Sequence, residues 1–241
     1  MGASCIIEER GRAVEEKREQ LGKFVVYGVS GEYAFSADSL LLARFSNVQT
    51  NECVADICAG NGVVGYAAAE TQVPKTLDFF EMNPVFCDLL RRAVNQNSVS
   101  GEVYQGDIAS TSKNRAGRYD VVLCNPPYYK AERKDLPQEE ALRKKYYRDA
   151  AKTECAVTLQ EVVESANRLL GGNGRFCVCV RAERLSELCA LLENKKMPVK
   201  RLQLVCATQG DAPYLALVEG KKGAKSGLTA LPVLIMGEED R

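Results

Sequence analysis

From Cys53 onward the chain alternates short apolar runs with helix-length stretches, and this alternation constrains its fold more than any other feature. Strand, helix and strand in succession form a parallel sheet with crossover helices. The runs predict seven strands, at 53–57, 76–80, 103–105, 121–124, 175–180, 202–206 and 215–219. Candidate helices lie between them at 63–70, 85–97, 159–170 and 185–193. The third helix opens on Thr158-Leu159-Gln160-Glu161, a capping box in which hydroxyl and carboxylate satisfy first-turn amides, and is expected to stop at Gly171-Gly172. The fourth carries Leu185, Leu188, Leu191 and Leu192 on one face and reads as a core-packing helix. A chain of 241 residues supports one such α/β domain without disulfides.

Composition then removes whole classes of chemistry. There is no histidine, so a Ser-His-Asp or Cys-His catalytic set and an HExxH metal helix are excluded. The 10 cysteines never form CxxC, and a zinc site would have to gather several of them from scattered positions; no metal is expected. Most sit inside apolar runs, as in Asp120-Val121-Val122-Leu123-Cys124 and Phe176-Cys177-Val178-Cys179-Val180, where a thiol serves as a small buried hydrophobe. Free thiols used this way suit a reducing cytosol, and no stretch approaches the apolar length of a membrane span, so a soluble cytoplasmic protein is expected. Residues 1–30 read as an N-terminal arm, with 1–20 frayed or helical, and 31–241 as one domain. With 32 basic and 32 acidic side chains, any nucleic acid must be held by a local patch.

The first strand runs into Asp56-Ile57-Cys58-Ala59-Gly60-Asn61-Gly62-Val63-Val64-Gly65, with Glu81 about 20 residues beyond the glycines at the end of the next strand. The turn from Asp56 and Cys58 through Gly60 and Gly62 lets backbone approach a nucleoside closely, and Glu81 can take both ribose hydroxyls. NAD and S-adenosylmethionine both suit such a turn. Acids at three successive strand ends, Asp56, Glu81 and Asp107, favour the cationic nucleoside over a pyrophosphate. Each acid alone also reads as a helix N-cap or a solvated carboxylate.

The sharpest signal follows the fourth strand: Asn125-Pro126-Pro127-Tyr128. Two prolines stiffen the turn, leaving the Pro126 carbonyl and the Asn125 side-chain oxygen as paired acceptors. An exocyclic amino group offers two N–H donors to such a pair. Held there, its nitrogen lone pair faces an incoming methyl, and the charge that develops is dispersed without a general base. Tyr128 supplies a face for stacking a planar base, worth about 1–3 kcal/mol.

These motifs together resemble the tRNA(Val) adenine-37 N6-methyltransferase family and its methyltransferase-small relatives. The likeness runs from Tyr33-Ala34-Phe35-Ser36-Ala37-Asp38-Ser39-Leu40 through Asp56–Gly62 and Asn125–Tyr129, then into Arg181-Ala182-Glu183-Arg184-Leu185, Leu217-Val218-Glu219-Gly220 and Leu231-Pro232-Val233-Leu234-Ile235. It implies a Rossmann-like seven-stranded methyltransferase fold, a mostly parallel sheet with a reversed last strand. It also implies S-adenosyl-L-methionine as cofactor, S-adenosyl-L-homocysteine as product, and a segment in which Phe35 and Asp38 close over the cofactor. From the residues alone Phe35 reads as core and Asp38 as a helix N-cap. Two departures stand out: Cys58 replaces a common glycine, which would set the backbone farther from the methionine moiety, and Thr153 stands where many relatives have histidine.

The inserted segment 128–152 carries eight basic residues against five acids, with Tyr129, Tyr146 and Tyr147 interleaved. Pro127, Tyr129, Lys130, Arg133, Lys144, Lys145 and Arg148 are the candidate substrate contacts, cations on phosphates and rings on splayed bases. The bland alternative is a solvated charge run. A base must be unpaired or flipped to reach Asn125, which an anticodon-loop purine of tRNA satisfies. The competing readings are another amino-group methyltransferase, acting on guanine N2 of ribosomal RNA, adenine N6 of DNA or a protein glutamine amide, and a non-catalytic RNA- or NAD-binding Rossmann module. No obligate protein partner is evident.

Overall fold

The computed structural model describes residues 6–9, 12–29, 36–126 and 157–237. Strands β4 (Cys53–Ile57), β5 (Thr76–Glu81), β6 (Val103–Gln105), β7 (Tyr119–Cys124), β8 (Leu170–Arg181), β9 (Val199–Cys206) and β10 (Leu215–Lys221) form the central sheet in the order β6-β5-β4-β7-β8-β10-β9. The first five of that order run parallel, and β10 lies antiparallel to both neighbours. This is the Rossmann-like sheet with a reversed last strand that the family resemblance implies. All seven strands lie where the apolar runs place them, most of them longer by one to five residues at an end. Two short strands, β11 (Thr229–Ala230) and β12 (Leu234–Ile235), extend the β9 edge in parallel.

Both faces are covered, as near-continuous apolar strands require. One face packs α1 (Ala37–Ser46), α2 (Val63–Ala68) and α3 (Pro84–Gln96) over Val54, Leu77, Phe79, Val121, Leu123, Cys177 and Cys179. The other packs α5 (Leu159–Leu169) and α6 (Leu185–Asn194) over Ala55, Ile57, Phe80, Val122, Cys124, Phe176 and Val178. Strict alternation thus sends odd and even strand residues to opposite helix layers. The capping box at Thr158 is fully formed: its hydroxyl accepts from the Glu161 amide, and Glu161 accepts from the Thr158 amide. The helix ends at Leu169, two residues before the expected glycine stop, and Gly171 and Gly172 open β8 instead. Short α4 (Ile108–Thr111) follows β6.

The described residues of 1–20, which the sequence reads as a frayed or helical arm, form strands instead. β1 (Ile6–Glu9), β2 (Arg12–Leu21) and β3 (Phe24–Val29) form a three-stranded antiparallel sheet. Polar β2 has little strand pattern of its own and is held by pairing with β3 through the two-residue turn at Gly22, where φ is +54°. β3 is buried and tied to the end of α3, where Val25 and Asn97 exchange two 2.8 Å hydrogen bonds. Among the described residues no helix is long and apolar enough to cross a membrane.

Candidate active site

The strand order reverses at β4, whose neighbours are β5 and β7, and a crevice opens at the carboxyl ends of parallel strands at such a point. Register decides which side chains meet there. Ile57 pairs with both Phe80 and Cys124, and Cys124 pairs with Val178. One residue further along, Cys58, Glu81, Asn125 and Cys179 therefore stand in a row across four strands. Asn125 follows Cys124, which faces the α5 layer, so alternation turns Asn125 toward α1. There its Nδ2 donates to Ser39 Oγ at 3.0 Å, and its Oδ1 accepts from Cys179 Sγ at 3.1 Å. Pro126 is buried beside it.

Asp56 is 1% exposed, beneath α2. Its Oδ2 accepts from the Gly65 amide at 2.9 Å, while Oδ1 has no hydrogen-bond partner among the described residues. Desolvation pushes this carboxyl up to about 8; the Gly65 amide opposes the shift and the charge of Glu81 adds to it. Gly65 lets α2 approach the sheet, because a Cβ there would stand 2.9 Å from the Phe79 ring. Gly62, at φ +81°, caps α2, and its Cβ would meet Leu90 at 2.7 Å, so its missing side chain serves packing. Gly60, at φ +55°, faces open space. Cys58 holds φ +56°, the left-handed conformation a glycine adopts freely, so the turn keeps a glycine's path at a cost of about 1–3 kcal/mol. Burial and a hydrogen bond with Cys58 hold the Cys124 thiol well above its ordinary range.

Glu81 binds the turn itself. Oε2 accepts from Gly60 at 2.7 Å, and Oε1 accepts from Met82 at 2.9 Å and Asn83 at 2.8 Å. Desolvation raises its pKa although three amides lower it. A carboxylate has about four lone-pair positions. Backbone amides take three of them.

Asp107 is the N-cap of α4, accepting from the Ala109 amide at 3.0 Å. Asp38 is not an N-cap: Ser36 caps α1, and Asp38 in its first turn accepts from the Tyr214 hydroxyl at 3.3 Å. Ser39, Cys179 and Tyr214 are the neighbours that sequence reasoning missed. Only Cys179 had a readable signal, its alignment with Asn125 once β7 and β8 are paired. Phe35, Pro127, Tyr128, Tyr129, Lys130, Arg133, Lys144, Lys145 and Arg148 lie outside the described residues.

A reversed strand between the fifth and sixth of a seven-stranded sheet, with a glycine turn and acids at the switch point, defines the Rossmann-like methyltransferase fold. The M. jannaschii TYW2 structure, in complex with AdoMet, superimposes with a TM-score of 0.59 at 14% identity over 86% of this chain and 85% of that one. More particularly, residues 29–145 match the model of the methyltransferase small domain. It is 26% identical over 157 residues to the tRNA1(Val) (adenine(37)-N6)-methyltransferase of Yersinia enterocolitica, a match covering 64% of this chain but only 59% of that protein. The protein of the same name from Aliivibrio fischeri is 23% identical over 76% of this chain and 75% of its own.

Proposed function

We propose that the protein is a cytoplasmic S-adenosylmethionine-dependent methyltransferase acting on an exocyclic amino group, the N6 of an unpaired adenine in tRNA, with adenine 37 of tRNA(Val) as its target. The observation that carries this reading is Asn125, an amide held on both sides at the switch-point crevice and followed by Pro126. Its Oδ1 is the acceptor for one substrate N–H, and the Pro126 carbonyl is the acceptor for the other. The relatives named above support the RNA target.

The residues present fit the cofactor. A buried carboxylate oxygen of Asp56 without a partner among the described residues suits a cationic or hydrogen-bond-donating group, and no atom stands within 4 Å of where a Gly60 side chain would begin, so backbone there is open to a ligand. When bound, S-adenosylmethionine supplies an electrophilic methyl on a sulfonium sulfur, chemistry that calls for no metal. Asp56 provides negative charge near it, Glu81 takes a ribose hydroxyl, and Asp107 or its neighbouring backbone meets the adenine. Phe35 and Asp38 close over the cofactor. Asn125 and Pro126 hold the target amine with its lone pair directed at the methyl, and Tyr128 stacks the flipped base. The basic segment with Lys130, Arg133, Lys144, Lys145 and Arg148 holds the RNA backbone.

Mass spectrometry of nucleosides in RNA from a knockout and its parent identifies the methylated base. Asn125→Ala should lower turnover about 10²–10³-fold, with S-adenosylhomocysteine affinity within a few fold by calorimetry. Parental turnover in that variant, or tight NAD binding with no response to S-adenosylhomocysteine, overturns the reading.

A further inference from the structure

We infer that Ser39 and Cys179 are positioning residues that set the orientation of the Asn125 amide, an inference that rests on the amino-group methyltransferase reading. An asparagine side chain can present either its oxygen or its nitrogen to a substrate, and only the oxygen accepts from an amine. Two neighbours decide between them. The Cys179 thiol is a hydrogen-bond donor and a poor acceptor, and it lies 3.1 Å from Oδ1. Turning the amide over would set Nδ2 against that thiol, so the thiol selects the oxygen-facing state. Ser39 Oγ takes Nδ2 at 3.0 Å.

The serine is itself anchored. Its hydroxyl lies 2.8 Å from Ser36 Oγ, and its amide donates to the same oxygen at 3.1 Å. With Ser39 Oγ accepting from Asn125, its own proton is directed to Ser36, the N-cap of α1. The amide is thereby fixed between strand β8 and the first turn of α1. Both holding residues are packed, Ser39 at 8% exposure and Cys179 at 0%, so neither rotates freely into water. The same first turn carries Asp38, so the candidate cofactor contact and the partner that aligns Asn125 share one element.

The test uses the full chain with an RNA hairpin bearing an unpaired adenine. Ser39→Ala and Cys179→Ala should each lower kcat about five- to tenfold, the equivalent of one neutral hydrogen bond. KM for RNA and affinity for S-adenosylhomocysteine should stay within about twofold, a change under one hydrogen bond's worth. Ser39→Thr and Cys179→Ser, which keep the hydroxyl or a donor, should recover most of the loss. In an Asn125→Ala background neither alanine should cost more, because the group they orient is gone. The Asn125 side-chain amide pair in a nitrogen-15 NMR spectrum, assigned by its disappearance in Asn125→Ala, should shift in both alanine variants. Unchanged kcat in an active parent, additive losses in the Asn125→Ala background, or unshifted amide resonances overturn the positioning role. A parent that leaves every amino-bearing RNA unmodified while its amide resonances shift as expected overturns the substrate reading and keeps the orientation of Asn125.

Discussion

At the scale of single residues, Asp56 and Asn125 show two ways of handling a polar group at a strand end. Asn125 carries no ionisable group and is held by the Ser39 hydroxyl and the Cys179 thiol. Asp56 is ionisable and buried, and its carboxyl is raised from 3.8 to about 8 by desolvation. The folded chain keeps this proton to about pH 8 while the unfolded chain releases it near pH 4. Folding therefore loses stability as pH rises across that window. Asp56→Asn should flatten the corresponding decline in Tm between pH 5 and about 8, read by thermal melts of parent and variant. A cation at the site favours the carboxylate, so affinity for S-adenosylmethionine should strengthen over the same window in the parent and stay level in the variant. Identical slopes for the two proteins would remove Asp56 from the cofactor site.

Elements differ in how much of their stability is local. Helix α5 carries its start signal within four residues, and the Thr158–Glu161 box satisfies amides that would otherwise be exposed. Thr158→Ala should cost about 1 kcal/mol, a fall in Tm of roughly 2–4 °C for a chain of this size. An unchanged melt would mean that packing of Leu159, Val162 and Val163 alone holds the helix. Strand β2 is the opposite case: its residues 15–20 read Glu-Glu-Lys-Arg-Glu-Gln, with no alternation of apolar and polar, and they become a strand through pairing with β3. The two-residue Gly22-Lys23 connection was the available hint, since positive φ at Gly22 suits the turn that joins twisted strands. Ser36 capping α1 in place of Asp38 follows the same rule, because two nearby residues both suit the position and only chain geometry selects one.

For the whole molecule, 32 positive and 32 negative side chains give no global attraction for a polyanion. RNA affinity must then come from a local patch, and its salt dependence counts the phosphates that patch meets. Lys144→Ala with Lys145→Ala should make the slope of log affinity against log salt shallower by about 1.4, two phosphates at about 0.7 each. Binding of the cofactor should be unaffected, and an unchanged slope would return 128–152 to a solvated charge run. The alternation of apolar runs, the glycine turn and Asn125-Pro126-Pro127-Tyr128 are local patterns, set by side chains a few residues apart, so the sequence alone determined the parallel α/β sheet and the strand ends that carry these motifs. Tertiary contacts decided the rest, two of them across more than 50 residues. Register brought Cys179 beside Asn125, the packing of α1 brought Ser39 to its other side, and the fold of the turn spent three of the lone pairs of Glu81 on backbone amides. Such contacts depend on which strands lie side by side and at what offset, and chain entropy sets no preference among offsets until the core closes around one of them.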